Sequence, residues 1–320
     1  MQRRALVIGA TGGVGGATAA ALCAHGWAVR AMSRDPASAR QRQAWLEEVE
    51  WVEGDALNPA DVLSAAAGTS LIVHGANPPA YRNWGGLQLP MLESTVAAAR
   101  AVGARIVFPG TVYNFGPDAF PKLGERSPQR PHTRKGAIRA QMERRLERAA
   151  GEGVPVLIVR AGDFFGARSN SSWFSQALVK PGRPLRSVTY PGKHDVGHAW
   201  AYLPDLAETI AKLVDRQSEL AAFEVFHFGG HWLERGVEMA EATLRAAGAR
   251  GRPMRRFPWL AVYALAPFVE TFREMLEMRY LWNVPVQLDN AKLVRFLGEE
   301  PHTPLERALR ETLQALGCVG

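Results

Sequence analysis

Eight residues near the N-terminus, Gly9-Ala10-Thr11-Gly12-Gly13-Val14-Gly15-Gly16, constrain the fold of this 320-residue chain more than any other stretch. An apolar run, Ala5-Leu6-Val7-Ile8, stands before them and reads as a short buried strand. The alanine-rich segment from Ala17 to Leu22 follows and reads as helix. A strand, a glycine turn and a helix in that order form a dinucleotide-binding unit. Gly9 permits the tight turn, Gly12 leaves no Cβ between backbone and pyrophosphate, and Gly15 allows close packing of helix on strand. The helix N-terminus then offers free N–H groups and the positive end of its dipole to the phosphates.

The spacing of Gly9, Gly12 and Gly15 is GxxGxxG. With its strand and helix it resembles the short-chain dehydrogenase/reductase superfamily, especially the extended branch, which includes NAD-dependent epimerases and dehydratases, and the atypical branch. The resemblance implies an α/β fold, a Rossmann-type doubly wound parallel sheet with a smaller, mostly helical lobe covering the substrate. Residues 1–162 form the dinucleotide-binding domain, completed by about 196–228, and residues 163–195 and 229–320 form the lobe. It also implies cofactor contacts from Gly9, Thr11, Gly12, Gly13, Val14 and Gly15.

Bulk properties narrow the alternatives. Hydrophobic residues make up 47% and charged residues 22%, which is ordinary for a soluble globular protein. The net charge of +7 is spread along the chain and mixed with acids, as in Glu143-Arg-Arg-Leu-Glu-Arg148, which argues against a nucleic-acid partner. Cys23 and Cys318 are too few for a disulfide framework or a metal cluster, and no metal site is expected. Met1-Gln2-Arg3-Arg4 runs directly into the first strand without a signal peptide. The longest apolar tract, Phe257–Val269, is interrupted by prolines and too short to span a bilayer. It reads as a buried or subunit-facing helix. The expectation is a cytoplasmic protein without a membrane partner, and a homodimer is common in the superfamily.

Further along, a second strand, Trp27–Met32, ends at Ser33-Arg34. In NAD-binding sites this position carries an acid that binds the ribose 2′-hydroxyl. A hydroxyl and a guanidinium suit a 2′-phosphate instead, so NADP is favoured over NAD. A third strand, Val49–Glu53, leads to Asp55-Ala56-Leu57, which resembles the acid-plus-apolar pair that brackets adenine in the superfamily. Asp55 also suits a turn or cap. After the fourth strand, Ser70–Val73, the run His74-Gly75-Ala76-Asn77 resembles the loop along the cofactor ribose, with His74 itself read as a packing residue. A helix follows over Trp84–Val102.

The fifth strand, Ala104–Phe108, ends in Pro109-Gly-Thr111-Val-Tyr113-Asn-Phe-Gly116. In extended members a serine-rich motif closes on Tyr-Gly here, and by position Thr111 occupies the slot of the catalytic serine or threonine. The superfamily's Tyr-x-x-x-Lys pair is absent. Registered on Glu143, the tyrosine slot holds Lys135 and the lysine slot Arg139, one helical turn apart on one face. The Lys-x-x-x-Arg-x-x-x-Glu run is similar to the isoflavone-reductase-like and NmrA-like members, where a lysine at this position is linked to catalysis. A lysine beside a second cation gives up its proton more readily. The same i, i+4, i+8 spacing also describes a solvated salt-bridged face.

After the sixth strand, Val154–Val159, the segment Arg160–Gly166 resembles the handover to substrate-binding elements. Asp163, Asn170 and Trp173, with Tyr113, are candidate substrate contacts. His194 and His198 lack a further ligand at metal-binding spacing. A seventh strand, Glu224–Phe228, returns to the sheet, and helices follow, with Glu274 and Glu277 on a salt-bridging face. Three functions compete. The first is an NADP-dependent oxidoreductase acting on a small carbonyl or hydroxyl substrate, with Thr111, Lys135 and Arg139 at the reacting centre. The second is a nucleoside-diphosphate-sugar epimerase or dehydratase, with Arg168, Arg183 and Arg186 as diphosphate ligands. The third is a non-catalytic dinucleotide sensor.

Overall fold

The computed structural model describes residues 3–78, 83–169 and 172–319; the substrate candidate Asn170 lies outside them. Seven parallel strands form the central sheet: β1 (Arg4–Ile8), β2 (Ala28–Ser33), β3 (Glu50–Glu53), β4 (Leu71–His74), β5 (Arg105–Gly110), β6 (Val156–Arg160) and β7 (Phe223–His227). Their spatial order is β3-β2-β1-β4-β5-β6-β7. The order reverses between β1 and β4, and that switch point opens a crevice at the carboxyl ends of the strands. Register aligns those ends, with Ile8 opposite both Met32 and His74, and Gly110 opposite Arg160.

Side chains alternate between two cores, as a sheet covered on both faces requires. Val7, Val73, Val107 and Val159 face α1 (Gly13–Ala24) and α6 (Leu203–Asp215). Leu6, Ile72, Ile106 and Ile158 face α3 (Pro59–Ala66), α4 (Trp84–Val102) and α5 (Arg134–Gly151). The crossover helices begin where the sequence supplies caps. Asp35 accepts from Ser38 N at 3.0 Å to start α2 (Pro36–Arg42), and Asn58 accepts from Ala60 N at 3.1 Å to start α3. Both have proline just inside the helix, where its missing N–H leaves no bond unmade.

A third core gathers Phe165, Phe174, Tyr190, Trp200, Trp282 and Leu309. It includes short strands, and Asp163–Phe165 and His198–Tyr202 pair in parallel. The region expected to be mostly helical thus carries small sheets as well. His198–Tyr202 is buried throughout, with aromatic side chains suited to a strand. The remaining helices are α7 (Glu238–Ala246), α8 (Trp259–Leu265), α9 (Glu270–Met278), α10 (Ala291–Leu297) and α11 (Leu305–Ala315). Of the tract around α8, expected to be buried or subunit-facing, the chain itself buries Val262 and Ala266 but leaves Leu260 86% and Phe268 84% exposed. No helix among the described residues is long and apolar enough to cross a membrane.

Candidate active site

The glycine turn at the end of β1 has the geometry that a pyrophosphate needs. Gly9 has φ +89°, and a Cβ there would lie 2.5 Å from Gly75 O. A Cβ on Gly15 would lie 2.3 Å from Gly9 O, so only glycine lets α1 start this close to the strand. At Gly12 a Cβ would meet only Gly9 O, at 3.4 Å, which leaves its outer side open to a ligand. No side chain caps α1, so its first N–H groups remain available to an anion. Thr11, Gly12 and Gly13 line a cavity with Arg42, Gln43, Trp45 and Arg168. Gln43 donates to Thr11 O at 3.1 Å, and the Arg168 guanidinium lies 4.2 Å over the Trp45 ring. The open backbone at Gly12 and the uncapped start of α1 suit the phosphates of a dinucleotide.

At the end of β2, Ser33 donates to Asp35 O at 3.1 Å, and the Asp35 carboxylate caps α2. Arg34 is exposed beside them. Asp55 accepts from Leu57 N at 3.0 Å, a turn that fixes Asp55, Ala56 and an exposed Leu57 next to the β2 end. Gly75 passes close to Ile8 O, joining the β4 loop, with Ala76, to the glycine turn. The Asn77 side-chain oxygen accepts from Trp84 Nε1 at 2.6 Å and Gln88 Nε2 at 2.7 Å. Its two lone pairs hold the start of α4, so this oxygen does not serve a ribose hydroxyl.

Thr111 follows β5 at the same edge. Its hydroxyl accepts from Tyr113 N at 3.4 Å and donates to Asn114 Oδ1 at 3.2 Å. The chain of bonds continues inward: Asn114 Nδ2 donates to Gln129 Oε1 at 3.0 Å, and Gln129 Nε2 to Glu143 Oε2 at 2.7 Å. Arg160 grips Glu143 with two bonds of 2.9 and 2.7 Å and also donates to Thr111 O. Arg160 Nε reaches His227 Nε2 at 3.3 Å, while His227 Nδ1 donates to Leu123 O at 3.1 Å. These contacts fix one neutral tautomer of His227. Burial, reinforced by Arg160, pushes its pKa down to about 3. The sequence singles out Glu143 and Arg160 only as motif markers; their pairing joins α5 to β6 under Thr111.

Lys135 and Arg139 share a helix face, yet their charged ends part. Lys135, 1% exposed, is gripped by two carboxylates of α9: its Nζ pairs with Glu274 and, at 3.0 Å, with Glu277. Its backbone N–H donates to Glu277 Oε1 at 2.7 Å. Arg139 instead lies 5.3 Å over Phe108 and 5.4 Å over Trp84. Lys135 therefore faces two anions of α9. Arg139 acts on His74, whose pKa burial and that positive charge lower to about 3. His74 is a neutral packing residue, bonded to Thr95 Oγ1 at 2.7 Å.

On the substrate side, Asp163 pairs with His198 Nε2 at 2.8 Å, and His198 stacks on Trp282 at 4.3 Å. Trp173 packs against Trp282 at 5.3 Å and against Phe257 and Trp259 at 6.2 Å. Trp282 escapes sequence reading, and His198 enters it only in connection with metal spacing, because the two meet Asp163 and Trp173 only through tertiary packing. Burial pushes the phenols of Tyr190 and Tyr280 well above the usual tyrosine range.

The sheet order, the switch-point glycine turn and the Thr111 edge together define an extended or atypical short-chain dehydrogenase/reductase fold. Residues 5–229 match the model of the NAD dependent epimerase/dehydratase family, and the chain belongs to that family. No curated protein sequence matches it. Among solved structures, it is similar to UDP-glucuronic acid 4-epimerase from Bacillus cereus in complex with NAD, with TM-score 0.75, 14% identity and 98% of each chain covered. It is also similar to UDP-glucose-4-epimerase from Stenotrophomonas maltophila with bound NAD, with TM-score 0.76, 14% identity and 99% of this chain and 98% of that one covered. A third is dTDP-glucose 4,6-dehydratase from Streptomyces venezuelae with NAD bound, with TM-score 0.74, 19% identity and coverage of 98% and 96%.

Proposed function

We propose that this protein is an NADP-dependent oxidoreductase acting on a small carbonyl or hydroxyl substrate. The observation that carries the cofactor choice is the end of β2. Ser33 and Arg34 stand where an acid would bind the ribose diol, and the nearby Asp35 carboxylate is engaged in capping α2. A planar cation in that position makes charge-assisted bonds to a 2′-phosphate. A nicotinamide, when bound, would supply hydride chemistry. At the β5 edge the Thr111 hydroxyl turns its single proton from Asn114 Oδ1 to the substrate oxygen, while Arg160 holds the Thr111 carbonyl from below. Arg139 places a positive charge near the ends of β4 and β5, favouring negative charge that develops on that oxygen. Lys135 acts as a positioning residue, fastening α9 to the start of α5.

The alternative, a nucleoside-diphosphate-sugar epimerase or dehydratase, is the reading that fits the family match and the NAD-bound neighbours, while its three diphosphate candidates are placed differently in the fold. Arg168 is stacked on Trp45 beside the glycine turn, and Arg183 and Arg186 are exposed. NADPH oxidation measured over a panel of aldehydes and ketones tests the reading. Thr111→Val is expected to lower kcat by about 10²-fold, the effect of losing one donor to a reacting oxygen, with NADPH affinity unchanged. Lys135→Met is expected to lower Tm more than kcat. Equal turnover by Thr111→Val and wild type would overturn the assignment of Thr111. NADPH binding without turnover of any carbonyl would favour the sensor reading.

A further inference from the structure

The covering region displays an apolar surface that neither the dinucleotide site nor the Thr111 edge uses. Between Phe257 and Val269 there is no charged side chain. Leu260 is 86%, Phe268 84%, Tyr263 49% and Leu265 46% exposed, so an apolar face points to solvent where a surface helix normally carries polar residues. The segment is firmly seated. Trp259 Nε1 donates to Pro191 O at 2.8 Å, and Arg279 lies under Trp259 at 5.2 Å while donating to the Tyr263 hydroxyl at 2.6 Å. Val262 and Ala266 are buried on the inner side. The outward face is thus fixed in place.

Charge beside the patch identifies what covers it. Arg250, Arg252, Arg255 and Arg256 precede the patch; all four are exposed, and none forms an ion pair with a described residue. Residues 242–269 contain no acid. An isologous contact through α8 with a second copy of the chain would gather two such arginine groups, with the exposed Glu270 just beyond the patch as the nearest following acid in the sequence. An anionic bilayer surface satisfies both features, because its phosphates take the guanidinium groups and its acyl region takes Leu260 and Phe268. We infer that residues 250–269 dock the protein onto an anionic membrane surface, with α8 lying in the interface and not crossing it. Trp259 belongs both to this segment and to the aromatic wall around Trp173, so docking brings that wall to the lipid surface.

Co-sedimentation with vesicles of phosphatidylcholine alone, and of phosphatidylcholine with one-third phosphatidylglycerol, tests the inference. Wild type is expected to sediment with the anionic vesicles only and to be released as salt is raised to about 0.5 M, where charges are screened within a few ångströms. Leu260→Glu/Phe268→Glu, at positions too exposed to affect folding, is expected to abolish sedimentation with Tm unchanged. Arg255→Ser/Arg256→Ser is expected to weaken binding by roughly fivefold per arginine removed. Wild type remaining in the supernatant with anionic vesicles would overturn the inference. So would a concentration-dependent dimer in sedimentation velocity that Leu260→Glu/Phe268→Glu dissociates, because the patch would then be an interface between two copies.

Discussion

Replacing Arg160 by methionine isolates the contribution of the buried pair under Thr111. The side chains of Arg160 and Glu143 are 2% and 4% exposed, so the variant leaves a carboxylate in the interior with Gln129 as its remaining donor. Removing one partner of a buried ion pair typically costs about 3–5 kcal/mol. The expected loss in urea unfolding at pH 7 is therefore about 3–5 kcal/mol. Arg160→Met/Glu143→Met should recover at least half of the loss, because an apolar pair of similar volume often replaces a buried ion pair with little penalty. A single variant that loses less than about 1 kcal/mol at pH 7, or a double variant as unstable as the single, would refute the reasoning.

Two other outcomes follow from the same geometry. Gly15→Ala places a Cβ 2.3 Å from Gly9 O, which forces α1 away from the strand; about 1–3 kcal/mol of stability and most dinucleotide affinity should be lost, as read by unfolding and calorimetric titration. Burial holds His74 and His227 at pKa values of about 3, below the unfolded value near 6.5. The unfolded chain therefore binds more protons between those values, and the stability present above pH 6.5 falls as pH drops toward 3, by about 2 kcal/mol per histidine at pH 5. His227→Gln should have a visibly shallower dependence over that window, and an unchanged slope would remove His227 from the account.

The central sheet is legible in the sequence because its strands are short apolar runs separated by helices with marked starts, such as Asp35-Pro36 and Asn58-Pro59. The glycine turn is legible because its requirement is local: Gly9 and Gly15 have no room for a Cβ. Lys135 shows where that kind of reading ends. Its slot on α5 follows from spacing, but the carboxylates that decide its role stand more than a hundred residues away, on α9. Asn77 is similar, since the partners that occupy its oxygen, Trp84 and Gln88, are set by how α4 begins. The tract around α8 has the composition of a core helix, and whether such a helix is covered depends on the elements that pack over it.

The claim that the β2 end selects NADP is tested most directly by calorimetric titration of the purified protein with NADPH and with NADH, repeated on Arg34→Ala. The account predicts tighter binding of NADPH by about tenfold or more, with the preference erased by Arg34→Ala and NADH affinity unchanged, as expected for loss of one charge-assisted contact worth about 1.5–3 kcal/mol. Equal affinity for the two dinucleotides in the wild type, or an NADPH preference that survives Arg34→Ala, would contradict it.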